Sequence, residues 1–427
     1  MTLALLVFLI LMLLQIPIAF VLGVSSIVYL LAIGNTGLLE SAPQRLYSGL
    51  GNYSLLAIPL FMFAGELMNA SGITTRLIHC AKVFVGHFRG GLAYVNILGN
   101  MFLASIIGSA TAQTAIMSRV MVPEMERNGY TREFSAATTA SAALLGPIIP
   151  PSMLFIIYGV SSGVSIGKMF MAGIIPGIVL AAALMCLIAY MGYRYQFPKS
   201  EKIPKQEVAA VFVRVIPALL VPLTIIGGIL SGVFTATESG AIACALAIVI
   251  GLFVYRELKL KDMPKVLINT AASTATVTIL MAMANLFGWV LTFEQIPQLI
   301  VQWMGALTES PWVFLLLVNL FLLIIGVIMD ELAVMIILLP ILMPLVAHFG
   351  IDPIHFGIVL CINTVIGLLT PPVGAGLFIA SAVADVKMEL LIKSIWPFVA
   401  VAIAVLMLLT YIPELTLWLP QLLELSS

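Results

Sequence analysis

Gly146-Pro147-Ile148-Ile149-Pro150-Pro151-Ser152 and Gly367-Leu368-Leu369-Thr370-Pro371-Pro372-Val373 decide how this chain is read. Each stretch sets a tandem proline inside a long apolar region. Proline has no N–H, so Pro150 and Pro371 remove the helical partners of the carbonyls four residues earlier. Those carbonyls belong to Gly146 and Gly367. At membrane depth they must be satisfied by protein, trapped water or an ion. Carbonyl oxygens suit a cation best.

The two stretches are copies, 221 residues apart. The same offset takes Pro123 to Pro344, Gly129 to Gly350 and Pro176 to Pro397, and it runs ungapped from about Ser105–Pro176 onto Gly326–Pro397. Side-chain identity is otherwise slight, so what repeats is the punctuation of the backbone. Interrupted apolar segments at matching places in two halves point to a transporter binding site.

Composition sets the class. Hydrophobic residues make up 62% of the 427 and charged residues 9%, about a third of the soluble norm. Mean hydropathy is +1.18. This is an all-α polytopic membrane protein, and formal net charge is zero, so nothing suggests nucleic acid as a partner. Cys80, Cys186, Cys244 and Cys361 lie scattered in apolar context and read as small core residues. Gly159–Gly163 matches G-x-S-x-G, but no strand precedes it and no catalytic partner is evident. Gly163–Lys168 is too short for a phosphate-binding loop. The sequence therefore reads as a non-enzyme.

A span needs roughly 20 apolar residues. Spans are predicted at Leu3–Ile33, kinked at Pro17, and at Tyr53–Ala70, Leu92–Met121, Lys168–Tyr193, Val215–Ser231, Ala236–Tyr255, Val266–Thr292, Trp312–Met343 and Leu390–Tyr411. Phe134–Gly163 and Ile354–Ala384 are predicted as re-entrant helical hairpins, broken at the prolines. Ile73–Phe88 and the region near Ile296–Leu307 read as amphipathic interfacial arms. Basic links at Arg194–Arg214 and Arg256–Lys265 share one side, which the positive-inside rule makes cytoplasmic. An odd number of crossings separates the copies, so they are inverted repeats. The expected architecture is a single membrane domain, residues 1–427, of elevator-type transporter fold. Parts 1–90 and 197–310 form the scaffold, and parts 91–196 and 311–427 carry the hairpins and move.

The repeat defines two equivalent cages. One holds Ser105, Gly146, Ile149 and Pro151; the other holds Gly326, Gly367, Thr370 and Pro372. Their oxygens are mostly backbone carbonyls, with few anionic ligands, which favours a monovalent ion such as Na+ over Ca2+. Two or more Na+ ions are expected, with no organic cofactor. Ser109, Ser152, Asp330 and Asn363 are candidates to line the substrate path. Asp330 and Glu331 stand in an apolar run, where a carboxylate is either functional or a paired structural group. Glu66 sits near a span end and reads as snorkelling, and Arg119 either meets a substrate carboxylate or reaches the interface. Thr235–Glu238 has capping-box spacing. The polar runs Ser135–Ser141 and Asn269–Thr278 either line the path or pack helices. The four histidines read as interfacial.

Seven stretches carry a family resemblance. Leu55–Phe61, Gly65–Asn69, Gly108–Ala112, Met121–Met125, Ile149–Ser152, Phe234–Gly240 and Gly367–Gly374 resemble the large membrane subunit of tripartite ATP-independent periplasmic (TRAP) transporters. The resemblance covers nearly the whole chain. It implies sodium-coupled uptake of an organic acid, a C4-dicarboxylate, sialic acid or other sugar acid, across a bacterial inner membrane. It also implies two partners, a small four-helix membrane subunit and a soluble periplasmic substrate-binding protein. The family's hairpin sodium sites fall on the cage residues above. One departure stands out: many relatives have Asp where this chain has Gln113, which puts a cation or proton role for that side chain in doubt. A passive ion or anion channel is the alternative that the residues leave open.

Overall fold

The computed structural model describes residues 2–34, 36–199, 205–372 and 374–424, apart from a few side chains, among them those of Ser105 and Ile106. Val373 and the link residue Lys202 fall outside it. Among the described residues the chain is helical, with one β-bridge joining Arg89 to Lys199. Its opening helices are α1 (Thr2–Leu13), α2 (Ile18–Ile33) and α3 (Thr36–Ser48). The sequence reading of a single kinked span over 3–33 is corrected. The chain turns over at 14–17, α1 and α2 pack on one another, and Ala4 shares a core cluster with Tyr29 and Leu30.

A short 3-10 turn leads into α4 (Ala57–Ala70), followed by the amphipathic arm α5 (Ile73–Val85). Then come α6 (Gly91–Ile107), α7 (Ala110–Arg127), α8 (Arg132–Ala143), α9 (Met153–Ser162) and the long α10 (Ile166–Arg194). The middle of the chain is α11 (Lys205–Leu230), α12 (Ala236–Val249), α13 (Met263–Phe293) and a second amphipathic arm, α14 (Ile296–Leu307). Thr235 and Glu238 close the expected capping box at the start of α12. The second copy follows as α15 (Pro311–Ile328), α16 (Glu331–His348), α17 (Pro353–Gly367), α18 (Ala375–Ala384) and α19 (Met388–Tyr411), and α20 (Glu414–Glu424) ends the described chain. α7 and α16 coincide residue for residue at the 221 offset.

Two re-entrant hairpins are present, but not where the prolines lie. α6 and α7 run antiparallel. Gln113 bonds to Asn100, Met117 reaches Gly99, and Asn96 approaches the Met125 sulfur at 3.5 Å. The turn is built by Gly108, whose φ of +63° closes α6, and by Ser109, which accepts the Ala112 N–H and caps α7. Glycine takes that left-handed backbone at no steric cost. The second hairpin is α15–α16. Phe314 stacks on Phe349 at its base with centroids 4.5 Å apart, and Asp330 caps α16 at its tip.

The proline breaks instead interrupt crossings. α8 and α9 make no extensive contact with each other, and neither do α17 and α18. The Tyr158 hydroxyl near the end of α9 donates to Pro353 O at the start of α17, at 2.5 Å. Arg132 Nε at the start of α8 donates to Ala384 O at the end of α18, at 2.6 Å. Inverted copies begin α8 and α17 on opposite faces, so an α9 that ends beside the start of α17 has crossed. Sequence length misled here, because the run Leu92–Met121 passes for one span although Gly108-Ser109 folds it back.

The copies interlock: α7 packs on α18, α16 on α9, and α8 on both α18 and α19. Every residue from Phe134 to Ala143 is buried, and every residue from His355 to Gly367. The small residues of α8 permit that approach, and Ser135, Thr139 and Ser141 return their hydroxyls to carbonyls four residues back. Apart from this unit, α4, α12, α13, α2 and α11 pack among themselves. Cys186 is exposed and His355 is buried against Thr416, both against expectation.

Between α15 and α17 the chain packs backbone on backbone. A Cβ on Gly367 would stand 2.6 Å from the Cα of Gly326, whereas one on Gly227 meets nothing within 4 Å. Overpacking of this kind costs about 1–3 kcal/mol. Gly367→Ala is therefore expected to lower the apparent melting temperature of the purified protein by several degrees, and Gly227→Ala to leave it unchanged. A thermal scan of the two variants in detergent decides it.

Candidate functional site

Between the two hairpin tips lies a cavity of about 370 Å3. Ser109 and Ala112 of α7, Met153 and Leu154 of α9, and Glu331 and Leu332 of α16 form one wall. Three helices thus begin at this cavity. Their first N–H groups and positive dipole ends favour an anion. α4 supplies Glu66 and Asn69 opposite, and α13 supplies Thr270, Ser273 and Thr276.

The side chains push the other way. Glu66 and Glu331 both face the cavity, and no Lys, Arg or His among the described residues lines it. Glu331 is 3% exposed and its Oε2 has no donor. Among the described residues Glu66 receives only the Asn269 amide, at 3.3 Å. An organic anion entering here needs positive charge that the walls do not provide.

Just behind the first hairpin tip, four side chains form a directional chain. Thr139 Oγ1 donates to Ser135 O and accepts Asn96 Nδ2 at 2.6 Å. Asn96 Oδ1 accepts Asn100 Nδ2 at 2.8 Å, and Asn100 Oδ1 accepts Gln113 Nε2 at 2.8 Å. The same Gln113 nitrogen also donates to Asn100 O at 2.7 Å, which fixes the orientation of its amide. Gln113 Oε1 is left buried without a donor among the described residues, and it lies against Gly146.

The second copy repeats the logic with other residues. Thr410 Oγ1 donates to Leu406 O and accepts Asn319 Nδ2 at 2.9 Å. Asn319 Oδ1 then accepts Asn363 Nδ2 at 2.8 Å. Asn363 Oδ1 ends that chain, buried and without a donor among the described residues, one helical turn before Gly367. A buried polar atom left unpaired costs about 1–3 kcal/mol. Two such oxygens stand at the ends of two such chains. No group of three His, Cys, Asp or Glu side chains among the described residues could hold a metal ion, so the available ligands are neutral oxygens.

In the first cage, Gly146, Ile149 and Pro151 come together at the break, and Pro151 O lies beside the hairpin turn at Gly108. No N–H or O–H among the described residues reaches these three carbonyls. Ser105 lies in α6, but its side chain is outside the description. In the second cage, Gly326 meets Gly367 directly, while Thr370 Oγ1 donates to Ile366 O at 3.0 Å. The expectation that Pro371 strands the Gly367 carbonyl is corrected: Thr370 N–H reaches it at 3.1 Å through a three-residue turn. The Thr370 carbonyl is itself met by Gly374 N–H at 3.4 Å. Pro372 is exposed at the break.

Of the path candidates, only Ser109 lines the cavity. Ser152 is wholly buried, capping α9 through Phe155 N–H and closing its hydroxyl on Pro147 O. Asp330 caps α16 through Leu332 N–H at 3.1 Å, so its neighbour Glu331 takes the cavity position. Asn363 sits inside the second amide chain. Glu66, read as snorkelling, is a cavity residue, and Arg119 is exposed away from it. Within Asn269–Thr278, the one-in-three spacing of Thr270, Ser273 and Thr276 is the sequence signal for a polar face.

Comparison with known proteins settles the family. The family described as "Tripartite ATP-independent periplasmic transporter, DctM component" matches residues 5–415. The 2,3-diketo-L-gulonate TRAP transporter large permease protein YiaN of Escherichia coli is 41% identical over 87% of this chain and 88% of its own. The C4-dicarboxylate TRAP transporter large permease protein DctM of Pseudomonas aeruginosa is 40% identical over 91% of each. The chain belongs to the TRAP large permease family. The YdaH transporter of Alcanivorax borkumensis shares the fold, with a TM-score of 0.66 at 15% identity, covering 89% of this permease and 88% of that chain. Eight helices among the described residues are long and apolar enough to cross a bilayer. This TRAP permease is a multi-pass inner-membrane transport protein and not an enzyme.

The cavity geometry predicts an accessibility pattern. With the native cysteines replaced, Ser109→Cys and Thr276→Cys should react readily with a small polar thiol reagent. Asn319→Cys, fully buried, should react at least about tenfold more slowly, the factor set by ~1.4 kcal/mol of opening. Equal rates at all three positions would contradict the cavity.

Proposed function

We propose that this permease takes up an organic acid by coupling its entry to Na+. The observation that carries the reading is the pair of amide chains, each ending in a buried oxygen with no donor. Oxygens held in that state suit a monovalent cation with few charged ligands. Gln113 Oε1 with the Gly146, Ile149 and Pro151 carbonyls forms the first site. Its neutral amide serves where many relatives carry a carboxylate. Asn363 Oδ1 with Gly326, Gly367, Thr370 and Pro372 forms the second, and Ser105 adds to the first.

Cavity electrostatics make the coupling intelligible. Glu66 repels a carboxylate, while the starts of α7, α9 and α16 attract it. Two Na+ ions beside the hairpin tips tip the balance and draw the acid in. Linkage requires the acid to tighten Na+ binding by the same factor. The two relatives above are named for 2,3-diketo-L-gulonate and C4-dicarboxylate, both acids. Together with the cavity they support a C4-dicarboxylate, a sialic acid or another sugar acid. The interlocked unit 91–196 with 311–427 slides as an elevator against 1–90 with 197–310. A small membrane subunit and a periplasmic binding protein complete the system, the latter delivering the substrate.

Reconstitution with both partners tests this. Uptake of a cognate acid into proteoliposomes should require an inward Na+ gradient. Gln113→Leu and Asn363→Leu should each raise half-saturating Na+ about tenfold or more, as the loss of ~1.4 kcal/mol of ligation dictates. Downhill flux without Na+ and without the binding protein would instead identify a passive channel.

A further inference from the structure

The transport mechanism leaves one charged cavity unused. It measures about 310 Å3 and lies where the arm α5, the start of α11 and the loop after α12 meet. Arg76, His79, Arg214 and Glu257 line it together with Thr75, Val211 and Val215. Arg76 is already committed: it pairs with Glu257 at 2.7 Å, donates to Gly72 O at 2.9 Å and lies 3.8 Å over the Tyr255 ring. That pair cancels its own charge and holds one wall of the cavity in place. Arg214 is different. Its backbone carbonyl accepts the Tyr255 hydroxyl at 2.7 Å, yet its guanidinium has no ion pair or hydrogen bond among the described residues. Among the described residues the cavity therefore holds one uncompensated cation, with His79 beside it.

Position in the bilayer says what this cation meets. α5 is amphipathic and carries Arg76, His79 and Lys82 at successive three-residue steps. Arg214 lies in the first turn of the apolar stretch Val211–Leu230. From there a long side chain reaches the headgroup layer while its stem stays apolar. The outward face of α11 is exposed at Val213, Ile216, Leu220 and Leu223, spaced three and four residues apart. That stripe starts one residue before Arg214, a rise of about 1.5 Å. A lipid lying along the stripe thus presents its phosphate level with the guanidinium. Arg256, Lys259 and Lys261 follow in the adjoining link and Lys265 in the first turn of α13, which marks this side as the one that attracts anionic lipid.

We propose that the cavity formed by Arg76, His79, Arg214 and Glu257 binds the phosphate headgroup of an anionic phospholipid. Arg214 makes the charge-assisted contact with the phosphate oxygens. The acyl chains lie on the exposed stripe of α11. Phosphate chemistry alone would also admit a free phosphate ion, but the stripe beside the cavity favours the lipid.

Native mass spectrometry of the purified full chain tests the assignment, using phosphatidylglycerol and phosphatidylcholine with identical acyl chains. Phosphatidylglycerol should remain bound preferentially, and Arg214→Gln should weaken that binding at least about fivefold, a typical coupling factor. Lys261→Gln, outside the cavity, should leave it unchanged. Equal retention of the two lipids, or an Arg214→Gln protein that still prefers phosphatidylglycerol, would overturn the proposal. So would displacement of phosphatidylglycerol by millimolar inorganic phosphate, which would identify a site for the free ion. Should Arg214→Gln fail to survive extraction, His79→Gln decides by the same comparison.

Discussion

An oxygen atom without a donor, in a place where water does not reach, is the constraint on which this structure turns. Helices cross a bilayer because they satisfy their own backbone. This chain breaks four times inside its apolar layer, at Gly108-Ser109, Pro150-Pro151, Met329-Asp330 and Pro371-Pro372. Most of the freed groups find local partners: Ser109, Ser152 and Asp330 each cap the helix that restarts. The remainder are acceptors. Carbonyls at 146, 149 and 151, and the amide oxygens of Gln113 and Asn363, share one polarity and gather near the hairpin tips.

That shared polarity has a cause in side-chain chemistry. A threonine that gives its proton to the backbone has only a lone pair to offer, so the next amide must present its NH2. Each amide then turns its oxygen outward to the next, and the last oxygen is bare. The first copy uses Thr139, Asn96, Asn100 and Gln113; the second uses Thr410, Asn319 and Asn363. None of these residues is matched by the duplication. The two halves reached one electrostatic solution by different side chains, while sharing the backbone breaks that make it useful.

Much of this was legible in the amino-acid sequence, because punctuation is local. Prolines and glycines at a constant offset gave the duplication and its inversion, and composition gave the membrane. What the sequence concealed was pairing. Whether a thirty-residue apolar run crosses or folds back depends on Gly108 adopting a left-handed turn, and a Gly-Ser dipeptide does so only when α6 and α7 find each other. The same holds for Glu66 and Glu331: their position on the cavity follows from which helix faces which. Asp330 was conspicuous in the sequence for its charge, yet capping α16 occupies it and hands the cavity to its neighbour. Gln113 looked like a loss relative to relatives with a carboxylate there; only the amide chain shows that its oxygen is presented all the same.

Reciprocal contacts between the copies bear on how such a protein is made. Arg132 finds its acceptor at Ala384, and Tyr158 finds its own at Pro353. Ribosomes deliver the first half to the bilayer while those acceptors have yet to be translated. During that interval Arg132 has its ion pair with Glu126 but not the Ala384 carbonyl, and the Tyr158 hydroxyl lacks Pro353. The packing of the early helices is therefore complete only once the late ones have joined them.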